Sequence, residues 1–254
     1  MLINHLSVSR GQCYEECQQK YKYRYHLKVI PDQPEQIYFV YGKLVHKAAE
    51  LYVQEKGSRP ILEYGKDLLY GKIKFQDTEK LYLLNTSYKN KFWEHLKVIQ
   101  LFTEKVGFDG ELECEINYDL DPPNGKILTG FIDRLIVKNN KAIIIDYKTS
   151  KNNSWRKTKE TIKKDLQLNT YAAYVSDKFN IEPENIQAAL VYVEGGNIIS
   201  TNFNKEYLEK TKKDLKNLFY QIENSDEAKV AGNVGNHCNR CDYNNICPFY
   251  RKIK

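Results

Sequence analysis

Between residues 111 and 148 the chain abandons helical periodicity for two-residue alternation, and this switch constrains its fold more than any other feature. In "ELECEINYDL" residues Leu112, Cys114, Ile116, Tyr118 and Leu120 share one face and polar residues the other, as in a half-buried strand. "DPPNG" makes a turn, "KILTGFIDRLIVK" a second strand, and Asn139–Asn140 a second turn into "KAIIIDYKT". This third strand is apolar on both faces, so the meander needs a layer on each side. Helical periodicity surrounds it. Residues 9 to 26 read as a helix begun by Ser9, with Cys13, Cys17 and Tyr21 on one stripe. Residues 42 to 56 form an amphipathic helix whose apolar face is Leu44, Val45, Ala48, Leu51 and Tyr52. The stretch 57 to 110 is mostly helical and reads as an insertion. A helix at about 159 to 179 leads to a hairpin, "IQAALVYVEGG" with "NIISTNFN", then a last helix and a cysteine-rich tail.

Composition bounds the rest. Hydrophobic residues make up 41% of 254, enough for a buried core in a single domain. The net charge of +6 biases the chain mildly towards polyanions. No run of eighteen apolar residues offers a membrane span, and "MLINHLSVSRGQ" lacks the apolar centre of a signal peptide. The expectation is a cytoplasmic protein whose six cysteines serve packing or metal binding rather than disulfides.

The apolar third strand ends in "DYK", where Asp146 and Lys148 point the same way with Ile144 behind them. A solvated same-face ion pair is one reading. The other is a site. In the second strand Asp133 shares a face with Phe131, Leu135 and Val137, and a carboxylate there needs a cation, a hydrogen-bond network or a metal. The turn at 139–140 makes the two strands neighbours, so Asp133 and Asp146 are expected to converge. Hard oxygen ligands suit Mg²⁺ or Mn²⁺, with Lys148 beside the ion. On the following helix Gln167, Tyr171 and Tyr174 form a polar-aromatic stripe, facing either this site or the core boundary. His46, at the apolar edge of the 42–56 helix, is a packing residue or a ligand. In the tail, Cys238, Cys241 and Cys247 form a metal site short of one ligand.

Four motifs together give a resemblance. G-x-x-x-H at Gly42 to His46, G-x-x-D-R at Gly130 to Arg134, D-Y-K at Asp146 to Lys148 and Q-x-x-x-Y at Gln167 to Tyr171 resemble, in order and spacing, the PD-(D/E)XK nucleases. The nearer likeness is to the RecB-like branch, which includes the AddB nuclease domain and CRISPR-associated adaptation nucleases. The resemblance implies an α/β, restriction-endonuclease-like core: a central mixed sheet flanked by helices, with the cysteine-rich tail closing on the N-terminal helix. It implies metal held by His46, Asp133, Asp146 and the Tyr147 carbonyl, with Lys148 orienting the attacking water and Gln167 and Tyr171 in support. It also implies a structural [4Fe–4S] cluster on Cys17, Cys238, Cys241 and Cys247. Gln18 stands where that branch has proline, and Cys13 is an extra thiol one turn earlier, so the fourth ligand is Cys17 or else Cys13. The alternative is Zn²⁺ on the tail cysteines with His237 or Cys17.

"TSKNNSWRKTKETIKK" follows the DYK strand. Its basic Lys151, Arg156, Lys157 and Lys159, with Trp155 among them, read either as a solvated face or as a loop contacting nucleic acid. The resulting expectation is a metal-dependent deoxyribonuclease, an exonuclease on single strands or DNA ends, acting in recombination, repair or CRISPR-type processing. No G-x-x-x-x-G-K-[ST] loop occurs in the sequence, so unwinding would fall to a helicase partner. A processing subunit of a larger complex, such as the CRISPR-adaptation machinery, and a non-catalytic nucleic-acid scaffold are the competing readings.

Overall fold

The computed structural model describes residues 1, 3–31, 36–122, 124–150 and 156–250. Five strands form one mixed sheet in the order β1-β2-β3-β4-β5: β1 Glu111–Asp119, β2 Ile127–Lys138, β3 Lys141–Lys148, β4 Ile186–Tyr192 and β5 Asn197–Asn202. The expected meander and the later hairpin are both present. β3 pairs antiparallel with β2 and parallel with β4, so a crossover links β3 to β4. The helices are α1 Val8–Glu16, α2 Gln18–Tyr21, α3 Ile37–Gln54, α4 Ile61–Leu69, α5 Thr86–Val106, α6 Leu166–Phe179 and α7 Lys205–Glu223.

The chain divides into two compact units. The larger comprises Glu35–Glu115 and Phe131–Tyr207. Its core joins α3 (Val40, Leu44, Val45, Ala48), α4 (Ile61, Tyr64, Leu68) and α5 (Phe92, Leu96, Ile99) to Ile145 and Tyr147 of β3 and Val191 of β4. The helices of the 57–110 stretch are therefore one layer of this core, not a separate appendage. Burying a side chain of that size contributes about 2 kcal/mol. Gly65 lets α4 and α5 close up, since a Cβ there would lie 2.4 Å from Leu96 Cδ1. The opposite face of β3 carries Ile144, Asp146 and Lys148, and Lys148 meets Gln167 of α6.

The smaller unit comprises Met1–Pro34, Ile116–Gly130 and Leu208–Lys254. Leu6 bridges Leu128 in parallel, and the cysteine tail folds back on the first helices through Gln19 N–H to the Ala231 carbonyl (3.2 Å) and Asn233 Nδ2 to the Glu16 carbonyl (2.9 Å).

Three expected boundaries are corrected. The first helix is capped by Ser7, whose hydroxyl accepts from Arg10 N–H, rather than by Ser9. It is also broken: Cys17 is extended (φ −163°, ψ 109°) between α1 and α2, and Lys22–His26 form a π turn. The stripe of Cys13, Cys17 and Tyr21 is thus interrupted at its middle member. The helix expected from 159 begins at Leu166, because Asp165 caps it by accepting from Leu168 N–H at 3.0 Å. On β2, Leu135 is buried but Phe131 and Val137 are exposed, so the face bearing Asp133 is covered only at its centre.

Candidate active site

β3 delivers the site because its ladder with β2 ends one residue short of it. The pairing runs from Lys138–Lys141 to Arg134–Ile145, and the next residues along are Asp133 and Asp146. At that point the Asp133 carboxylate substitutes for a backbone acceptor: Tyr147 N–H donates to Asp133 Oδ2 at 2.7 Å. The other oxygen, Oδ1, lies 3.1 Å from His46 Nδ1 on α3. Burial favours a neutral Asp133 and a neutral His46. Their mutual attraction prevails, lowering the carboxyl and raising the imidazole from their ordinary values.

Asp146 is 4% exposed, with Oδ2 2.7 Å from Lys148 Nζ. That oxygen accepts no aligned hydrogen bond, so its compensation is ionic alone. Burial pushes the Asp146 carboxyl up to about 6 in spite of the lysine, and neighbouring Asp133 pushes in the same direction. Lys148 is held up in turn by Asp146 against its own burial, and Nζ donates to Gln167 Oε1 at 3.1 Å. Gln167 Nε2 donates to the Tyr171 hydroxyl at 2.7 Å. A relay Tyr171–Gln167–Lys148–Asp146 therefore runs from the core of α6 to the mouth of β3. Tyr174 turns away from it, donating to the Glu115 carbonyl.

The donors fit a hard divalent cation: two buried or half-buried carboxylates, one imidazole and an Asp146 oxygen lacking a hydrogen bond. Among the described residues no three His, Cys, Asp or Glu side chains are drawn into a metal-binding group. The carboxylates are instead paired within the protein, Asp133 with His46 and Asp146 with Lys148.

Arg134, fully buried, fixes the strand behind the site. It donates to the Asp109 carbonyl from Nε (3.1 Å) and Nη2 (2.6 Å) and to the Gly107 carbonyl (2.6 Å), anchoring the loop that leaves α5. The basic loop is more mixed than its composition suggested. Lys151 and Trp155 lie outside the described residues. Arg156 donates to the Glu194 carbonyl at 2.5 Å and packs over the Tyr192 ring. Lys157 pairs with Asp165 at 3.2 Å, and Lys159 is exposed.

The sequence reading passed over Glu113. It sits on β1 with φ 44°, an unusual left-handed conformation within a strand, and burial and the nearby Glu50 raise its carboxyl, with Asp133 acting the same way. Alternation had placed it on a plain solvated face, and pattern alone gave no signal of that kink.

In the smaller unit, Cys17, Cys238, Cys241 and Cys247 line one cavity together with Lys20 and His237, whereas Cys13 and Cys114 do not line it. Gly235 N–H points to Cys238 Sγ at 3.5 Å. Burial raises the Cys241 thiol and pushes that of Cys13 up to about 11. Cys114 is 1% exposed, in keeping with the core role expected for it.

The family model described as "PD-(D/E)XK nuclease superfamily" matches residues 5–248. The chain belongs to that superfamily. No curated protein matches it in sequence. The crystal structure of a "Putative exonuclease" from Eubacterium rectale is 11% identical, with a TM-score of 0.54 over 99% of this chain and 88% of that one. That likeness is one of fold. The crystal structure of SSO0001 is 15% identical with a TM-score of 0.48, over 98% of this chain and 88% of that one. As a member of the PD-(D/E)XK nuclease superfamily, the chain carries the fold of a phosphodiester hydrolase. Among the described residues, no helix is long and apolar enough to cross a membrane.

Proposed function

We propose that this PD-(D/E)XK protein is a metal-dependent deoxyribonuclease of the RecB-like branch, acting on single strands or DNA ends inside the cell. The observation that carries the reading is the convergence of His46, Asp133, Asp146 and Lys148 at the open end of the β2–β3 ladder. His46, Asp133, Asp146 and the Tyr147 carbonyl would hold Mg²⁺ or Mn²⁺. Such a cation, when bound, supplies Lewis-acid activation of water and charge neutralisation at the scissile phosphate. The chain's own groups do the rest. Lys148 Nζ orients the water and stabilises charge developing on the phosphate. Gln167 aims that ammonium, and Tyr171 fixes Gln167 by donor and acceptor matching. Lys151, Arg156, Lys157 and Lys159 are candidates for phosphate contact, and Trp155 for an unstacked base.

The four cysteines lining one cavity support a structural [4Fe–4S] cluster with Cys17 as the fourth ligand. Lys20 at that cavity offsets the negative charge of a thiolate-ligated cluster, and Gly235 N–H is a donor to sulfur. Action in recombination, repair or CRISPR-type processing, beside a helicase or adaptation partner, fits an enzyme that takes strands opened elsewhere.

The test separates chemistry from metal binding. Lys148→Ala removes the orienting ammonium but keeps His46, Asp133 and Asp146. DNA and Mn²⁺ binding are expected to persist while single-turnover cleavage falls about 10²-fold, the scale of losing one transition-state stabiliser. Asp146→Ala is expected to lose both Mn²⁺ affinity and cleavage. Folded Lys148→Ala protein that cuts bound DNA at the wild-type rate would falsify the assignment.

A further inference from the structure

The core face of α3 is matched by a second face that packs on nothing of the kind. Phe39, Gly42, Lys43, His46 and Lys47 recur at the spacing of one helical face and line a groove of about 640 Å³, walled on its other side by Lys74 and Phe75. At its far end Tyr38 is 53% and Phe39 47% exposed, with ring centroids 4.4 Å apart and planes inclined at 44°. At its near end are His46 and Thr149, the residue after Lys148. Single exposed aromatics are ordinary. Two adjacent rings in a lysine-lined groove that opens on a hydrolytic site are not.

We propose that this groove is the path of an unpaired DNA strand, with Tyr38 and Phe39 stacking its bases and Lys43, Lys47 and Lys74 along its phosphates. The inference rests on the nuclease reading and deepens it by naming what selects single strands. Groove charge decides the occupant: Lys43, Lys47 and Lys74 face one lining carboxylate, Glu113, which favours a polyanion over an apolar peptide. Lys43 and Lys47 also pair with Asp77 and Glu50, so their contribution is partly offset, and Lys74 carries most weight. Ring availability decides the form of that polyanion, since only unstacked bases can lie on aromatic faces. At 1.5 Å per residue, the rings stand roughly 12 Å along α3 from His46, so the stacked bases lie to one side of the scissile bond.

The experiment measures binding of a labelled oligothymidylate, a duplex of equal length and an oligouridylate, with Ca²⁺ replacing the catalytic metal. It also follows quenching of 2-aminopurine placed in the single strand. The Tyr38→Ala/Phe39→Ala double variant, altered only at exposed positions, is expected to lose affinity for the single DNA strand by about 10-fold or more and to lose the quenching. Its duplex affinity should stay within about twofold, and a Tyr38→Phe/Phe39→Tyr swap should behave as wild type. Lys74→Ala is expected to weaken both forms and reduce the salt slope by about one. Equal losses on strand and duplex, undiminished strand binding, or tighter binding of the oligouridylate than of the oligothymidylate would overturn the proposal. The two readings fail separately. A wild-type protein that quenches 2-aminopurine but cuts nothing with Mg²⁺ or Mn²⁺ keeps the groove and loses the nuclease. A protein that cuts, with KM unchanged in the double variant, keeps the nuclease and loses the groove.

Discussion

At the scale of single residues, Asp146 concentrates the cost of the site. Its carboxyl, raised to about 6 by burial, sits above the ordinary 3.8. A carboxyl raised on folding favours the native state below its unfolded pKa, and that advantage is lost as pH climbs through the folded value. The metal-free protein should therefore weaken between about pH 4 and pH 6. Asp146→Asn, which mimics the protonated form, is expected to be more stable than wild type at pH 7 in the absence of metal. Below pH 4 the gap should close. Thermal melts of both proteins in chelator across this range check it, and Mn²⁺ should reverse the order by stabilising wild type alone. "DYK" was legible because two charges at the end of an isoleucine run demand a partner. The ion pair is present, buried rather than solvated, and Asp133 lies near enough to push the Asp146 carboxyl up. Glu113 was illegible, because its significance depends on a backbone angle and not on alternation.

At the scale of elements, strands were read better than helix ends. Alternation and turn residues mark a strand locally, whereas α6 begins where Asp165 wins the cap over an earlier start. The break at Cys17 was equally hidden, because helical spacing persists through it. That break has a consequence: Cys17 reaches the cavity of the tail cysteines, and Cys13, one turn earlier on α1, does not. Under anaerobic purification Cys17→Ala is expected to lose iron, sulfide and colour, with Cys13→Ala retaining all three. Stoichiometric zinc without sulfide in fresh protein would contradict the cluster. Arg134 was read only as part of a motif, yet it ties β2 to the end of α5 through three donors. Arg134→Lys cannot supply those bonds from a single ammonium and leaves buried carbonyls wanting. A loss of about 2 to 4 kcal/mol in urea unfolding is expected.

At the scale of the whole molecule, the mixed sheet and its flanking helices followed from periodicity, and the order of four weak motifs placed the chain in its superfamily. The division into two units was not legible, because β1, β2 and α7 each run from one unit into the other without any change of composition. The groove of α3 was missed for a related reason: Tyr38 and Phe39 precede the stretch whose amphipathic pattern was strong enough to read, and α3 begins at Ile37. The central claim is that this assembly hydrolyses DNA with a divalent metal. Its most direct measurement is the cleavage of end-labelled linear and of circular DNA, single- and double-stranded, in Mg²⁺, Mn²⁺ or chelator. Metal-dependent degradation of linear single strands, sparing circles and stopped by chelator, is the expected result. Cleavage that persists in chelator, or no cleavage of any substrate by folded protein in either metal, would contradict it.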